Sequence, residues 1–119
     1  MAKLVLYGIA SCDTCRKAVA WLKAGGHSFQ FHDLRADGPP DASQVRAWGQ
    51  ALGWETLLNR RSTTFRALTS EEQSITEGDD AVALILRYPL LIKRPLIESE
   101  SGVVAGFNPD RLNGIISHA

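Results

Sequence analysis

The chain has 119 residues, 13 basic and 13 acidic side chains, no net charge and 45% hydrophobic residues. That length is one domain with enough volume to bury its own core. Balanced charge argues against a non-specific nucleic-acid binder, and no apolar run reaches the roughly 18–20 residues that span a bilayer, so neither partner is expected. The basic set is nonetheless uneven, with nine Arg against four Lys, and Arg is the better fork for oxyanions and carboxylates. Met1-Ala2-Lys3 leads into a predicted strand without the charged and apolar regions of a secretory signal, which makes a cytoplasmic location the expectation. In a reducing compartment, two cysteines at C-x-x-C spacing point to catalysis or metal binding before a structural staple.

In chain order, Lys3–Tyr7 has the composition of a short buried strand, Gly8–Ser11 of a tight connection and Asp13–Ala24 of a helix. Cys15, Ala18, Val19 and Leu22 fall at i, i+3, i+4 and i+7, an apolar stripe. Gly25-Gly26 should end this helix, since glycine tolerates positive φ. Phe29 and Phe31 alternate with Ser28, Gln30 and His32, the period of a second strand. Strand, helix and strand in this span make a βαβ unit with a parallel pair.

Asp37-Gly38-Pro39-Pro40 is the strongest break. Beyond it Val45, Trp48 and Leu52 share a helical face, Gly53 is a stop, and Trp54–Leu58 suggests another turn leading into Asn59–Arg66. The tryptophans suit packing, with Trp54 also placed for a helix-stop contact. Thr69 and Glu72 have capping-box spacing, and Asp79 or Asp80 is expected to cap a helix over Ala81–Tyr88. Residues 40–77 are expected to form a helical insertion in a smaller α/β core, within one domain spanning 1–119. Pro95 should open a strand, Ser99–Gly102 should turn it back into Val103–Ala105, and Asn108-Pro109-Asp110 should start a last helix with Leu112, Ile115 and Ile116 inward.

Cys12 falls where the unpaired N–H groups of a helix start point outward, so its thiolate should be stabilised and its pKa lowered. Cys15 lies on the apolar stripe, which suits either a small buried side chain or a partner that resolves Cys12. Cys12, Cys15, His27 and His32 also match C-x2-C-x11-H-x4-H, near zinc-finger spacing. Here, however, the helix follows the cysteines and the histidines flank a strand, which separates them by roughly 16 Å; no metal site is expected. Arg60, Arg61 and Arg66 suit a solvated surface, whereas Arg94 directly precedes Pro95 at a strand start, where a cis peptide would aim its neighbours at the cysteine helix.

Taken together, these residues carry a family signature. Tyr7-Gly8-Ile9 leads to Cys12-Asp13-Thr14-Cys15-Arg16-Lys17-Ala18. Gly53-Trp54, Leu57-Leu58-Asn59-Arg60, Thr63-Thr64-Phe65-Arg66, Leu91-Ile92-Lys93-Arg94-Pro95 and Gly106-Phe107 follow. With these motifs the chain resembles the ArsC/Spx group of thioredoxin-fold proteins, most closely its small YffB-type members. The resemblance implies an α/β, thioredoxin-like (glutaredoxin-like) core with a four-stranded mixed sheet, a helical insertion of ArsC type and a cis bond before Pro95. It implies that Cys12 is the nucleophile, with Arg94 and Pro95 beside it and Arg60 or its neighbour Arg61 as a second oxyanion-binding arginine. Arsenate reductases of this group carry a third arginine where this chain has Phe107-Asn108, and an oxyanion would lose one fork there.

The function expected from the resemblance is a cytoplasmic, monomeric thiol oxidoreductase acting on a small oxyanion or a mixed disulfide. It would hold no bound cofactor, use glutathione as co-substrate and work with glutaredoxin. Cys12, Cys15 and Arg94 form its expected catalytic set. The alternative is an Spx-like redox-sensing regulator that binds RNA polymerase through a Cys12–Cys15 switch.

Overall fold

The structure is a computed structural model and describes residues 4–116. Lys3, placed in the first strand by its sequence pattern, lies outside the described residues. Four strands form one sheet: β1 (Leu4–Gly8), β2 (Phe29–Asp33), β3 (Leu96–Ser99) and β4 (Gly102–Ala105), in the order β2-β1-β3-β4. β1 pairs in parallel with β2, with Leu6 opposite Phe31, and antiparallel with β3, with Leu6 opposite Ile97. β3 and β4 form the expected antiparallel hairpin. Gly8 belongs to β1, opposite Asp33, and not to the connection where its small size suggested a turn.

Between β1 and β2 runs α1 (Asp13–Ala24), as the stripe predicts. Cys15, Ala18 and Leu22 are its buried residues. It ends in paired bonds from Gly26 N–H to the Lys23 carbonyl (3.0 Å) and from His27 N–H to the Leu22 carbonyl (3.0 Å). This termination needs a residue at positive φ between them, and Gly26 supplies it at +73°. The chain closes with α2 (Pro109–Ile116), whose first turn is held by Arg111 N–H on Asn108 Oδ1 at 3.2 Å. Leu112, Ile115 and Ile116 pack with Leu4, Leu6, Ala18, Leu22, Ile97 and Val104 into one cluster under the sheet. Ser99, buried in the hairpin, donates to the Ile115 carbonyl at 2.8 Å and accepts from Ser101 N–H at 3.0 Å, so its hydroxyl is satisfied.

Residues 34–93 cluster as a second compact unit, apart from the unit built of 1–33 and 94–119. It is helical: Ala42–Leu52, Trp54–Leu57, Thr63–Arg66, Ser70–Gln73 and Gly78–Arg87, then a 3-10 turn over Pro89–Leu91. Gly53 stops the first of these at φ +86°. The Trp54 ring lies against Gly49 so closely that a Cβ there would stand 2.3 Å from it. The Thr69–Glu72 capping box forms as predicted, with both reciprocal bonds present.

Within the expected helical insertion, Thr63–Arg66 is a helical turn, capped where Ser62 Oγ accepts the Phe65 N–H at 3.1 Å. One expectation is corrected. Asp79 and Asp80 do not cap the Gly78–Arg87 helix; they lie in its first turn, behind Glu77, and Tyr88 follows its end. The Asp79 carboxylate is committed elsewhere, accepting from Arg46 Nη2 at 2.9 Å and Nε at 3.3 Å.

Candidate active site

β1 delivers the chain to Ile9, and three bonds fix the loop that follows. Cys12 N–H donates to the Ile9 carbonyl (3.2 Å), and Ala10 N–H donates to Asp33 Oδ2 (3.3 Å). Arg16 Nε then donates back to the Ala10 carbonyl at 3.0 Å while Nη1 meets Asp13 at 3.5 Å. Cys12 emerges as the N-cap of α1 in extended conformation (φ −85°, ψ 120°). Its carbonyl accepts the Arg16 N–H at 3.0 Å, and its Sγ accepts the Cys15 N–H at 3.4 Å. A sulfur thus stands where a serine or aspartate oxygen would ordinarily cap a helix.

The two thiols are pushed in opposite directions. Partial burial opposes ionisation of Cys12, but the backbone N–H and the S–H of Cys15, the N–H of Thr14 and the charge of Arg94 outweigh it. Cys12 therefore ionises below its ordinary range. Burial pushes the Cys15 thiol up to about 12, reinforced by its hydrogen bond to Cys12 and the negative charge there, against the opposing pull of the Ile9 backbone and Arg94. Cys15 is 1% exposed, Cys12 half-buried, and both are free thiols. The two thiols therefore differ in direction: Cys12 is the more readily ionised, and Cys15 keeps its proton and donates toward it.

Gly8 makes room for this pair. A Cβ on Gly8 would stand 2.6 Å from Cys15 Sγ and 3.3 Å from its Cβ, so the sulfur occupies the space that a side chain would fill. Across the sheet, the Arg94–Pro95 peptide is cis, the isomer that the family resemblance implies. Pro95 is buried ahead of β3, and its carbonyl accepts Gly106 N–H at 2.7 Å. Arg94 is half-buried, and its charge reaches both sulfurs.

Cys12, Cys15, Arg94 and Pro95 all belong to the sheet unit, whereas Arg60 and Arg61 belong to residues 34–93. Arg60 and Arg61 are exposed on a turn in which Arg61 N–H donates to Asn59 Oδ1 at 3.2 Å, and the Arg60 guanidinium lies 6.0 Å from the Phe65 ring centroid. With Lys93 they line an open basin of about 340 Å³. The histidines of the zinc-like spacing each meet an aromatic ring: His27 stacks on Trp21 at 6.1 Å, and His32 lies 5.0 Å from Tyr7. Among the described residues no three His, Cys, Asp or Glu side chains gather as a metal site. Phe107 packs edge-on against Trp21 at 6.3 Å.

Three contributors to the site have no assigned role in the sequence reading: Gly8, Arg16 and Asp33. Arg16 directly follows the C-x-x-C, and Gly8 lies four residues before it, so both were within reach of a local reading. Asp33 acts on the loop through the β1–β2 pairing, which local pattern does not reveal.

The sequence profile of the ArsC family matches residues 7–115. The chain belongs to the ArsC family. A YffB protein of known structure is 39% identical and superimposes with a TM-score of 0.88 over 95% of this chain and 98% of that one. An arsenate reductase (ArsC) related protein from Brucella melitensis is 36% identical, with a TM-score of 0.69 over 94% of this chain and 92% of that one. The global transcriptional regulator Spx of Lactiplantibacillus plantarum is 31% identical over 113 residues, 92% of this chain and 83% of the regulator. The ArsC-type, thioredoxin-like sheet with its helical insertion is therefore the fold of this family member. No described helix is long and apolar enough to cross a membrane.

Proposed function

We propose that this ArsC-family protein is a thiol oxidoreductase that uses Cys12 as nucleophile and glutathione as the resolving co-substrate. The observation that carries the reading is the Cys12 sulfur at the tip of α1, accepting the Cys15 N–H at 3.4 Å and held below its ordinary ionisation range. On a glutathione mixed disulfide, the Cys12 thiolate attacks the glutathione sulfur, forming a Cys12–glutathione disulfide and expelling the substrate sulfur as a thiolate. A glutathione thiolate then attacks the glutathione-side sulfur, releasing Cys12 and oxidised glutathione; two electrons pass from glutathione to the substrate disulfide. Arg94, whose charge already acts on Cys12, stabilises thiolate leaving groups at that sulfur. Arsenate is the less favoured substrate, since the resemblance puts Phe107-Asn108 where arsenate reductases of this group carry a third arginine, and an oxyanion loses one fork there.

The test is NADPH consumption coupled through glutathione reductase, with a glutathione mixed disulfide in one arm and arsenate plus glutaredoxin in the other. Cys12-dependent turnover of the mixed disulfide is expected, with Cys12→Ser lowering it about a thousandfold. Equal turnover by Cys12→Ser and wild type would overturn the mechanism.

A second reading has support in the similarity to the Spx regulator and in the adjacency of the two thiols. In it, a Cys12–Cys15 disulfide alters association with RNA polymerase. Capture of polymerase by oxidised protein only, with no turnover above the Cys12→Ser background, favours it over the enzyme. The high pKa and deep burial of Cys15 weigh against a disulfide that forms readily.

A further inference from the structure

α1 carries a second stripe beside the one it buries. Arg16, Val19, Ala20 and Lys23 fall at i, i+3, i+4 and i+7 and so share one helix face. That face forms one wall of an open groove of about 520 Å³, with Phe29 and Phe31 of β2 among its other lining residues. This is within the range of about 300–1,000 Å³ typical of small-molecule sites. β2 is an edge strand, and Phe31 on it is 38% exposed, the one large hydrophobic side chain left exposed among the described residues.

Charge distinguishes this groove from an ordinary surface furrow. Its charged lining residues are Arg16 and Lys23, and no acidic residue lines it. The two cations lie two helical turns apart, about 10 Å along the axis. Lys23 in the last turn suits the negative end of the helix dipole, but Arg16 stands near the positive end, where a cation is disfavoured. Arg16 is fixed there through Nε on Ala10 and Nη1 on Asp13, which leaves Nη2 for an incoming anion. The geometry points to a binding site for an elongated small molecule with an apolar middle and an anionic group at each end. Its middle lies on Val19, Phe29 and Phe31, and its anions meet Arg16 and Lys23. The groove adjoins the Cys12 site, with Cys15 and Arg16 common to both, but its occupancy does not require thiol chemistry.

The α,ω-dicarboxylate decanedioate is a suitable probe, titrated into the full reduced chain by calorimetry and by backbone amide NMR. Butanedioate carries the same charge without the length, and decanediol has the length without the charge. Decanedioate is expected to bind more tightly than either and to shift amides of α1 and β2. Lys23→Gln and Phe31→Ser, both at exposed side chains, should each weaken it roughly three- to tenfold. Added salt should weaken it further by screening the two cations. Absence of binding at millimolar decanedioate, equal binding of either control ligand, or unchanged affinity in both folded variants would overturn the site.

Discussion

At the N-cap of α1, sulfur does the work usually given to oxygen, with a chemical consequence that oxygen lacks: it ionises below its ordinary range when its negative form is favoured. The Cys15 N–H and S–H, the Thr14 N–H and the Arg94 charge all favour that form, against the burial that opposes it. Removing the Arg94 charge should therefore raise the Cys12 pKa toward its ordinary value. The pH dependence of iodoacetamide alkylation checks this: Arg94→Gln should shift the Cys12 profile to higher pH, and an unshifted profile would remove Arg94 from the site. Cys15 presents the reverse case, since a buried thiol pushed up to about 12 contains almost no nucleophile at neutral pH. In the mechanism proposed above, glutathione arriving from solvent is the better resolving thiol. Cys15→Ser keeps an O–H donor beside Cys12 and should retain glutathione-dependent turnover within about threefold. A loss of orders of magnitude, in a variant with the wild-type thermal midpoint, would instead make Cys15 the resolving thiol.

The strand–loop–helix element shows which features a sequence can disclose. The α1 stripe, its Gly26 termination, the Thr69–Glu72 capping box and the Asn108 start of α2 were legible because each is decided within about one turn of chain. Asp79 misled because its carboxylate is taken by Arg46, 33 residues away in sequence. Gly8 is the sharpest case. At a strand end it resembles a turn residue, yet its missing Cβ is the space that Cys15 Sγ occupies. Gly8→Ala would bring a methyl group to 2.6 Å from that sulfur and 3.3 Å from Leu6 Cδ2, neither of which can retreat from a packed core. Overpacking of this kind costs about 1–3 kcal/mol. Thermal unfolding should show a lower midpoint for Gly8→Ala, and alkylation should show a raised Cys12 pKa as the Cys15 donors are displaced. Wild-type values in both measurements would mean that the strand and helix separate without strain.

At the scale of the whole molecule, local pattern reached the parallel β1–β2 pair and the β3–β4 hairpin, whose strands are neighbours in sequence. The central β1–β3 pairing joins segments about 90 residues apart, and only the family resemblance implied a four-stranded sheet. Cys15 is buried on the inner face of α1 against Gly8, which makes global stability sensitive to its proton. The thiol is raised from 9.0 to about 12 in the folded chain, so the unfolded chain releases this proton first as pH rises. Its contribution to stability is complete below pH 9 and is lost progressively as pH rises toward 12. Cys12 has the opposite sign: its lowered value contributes fully above the ordinary thiol range and is lost as pH falls through its folded value. Denaturant unfolding of reduced protein at pH 8 and pH 11 isolates the Cys15 effect when wild type is compared with Cys15→Ser. Wild type should lose about 2–3 kcal/mol more than the variant across that interval, because the serine hydroxyl does not titrate there. Equal losses would mean that the Cys15 proton is no harder to remove in the folded chain than in the unfolded one, and with that the division of labour between the two sulfurs would fail.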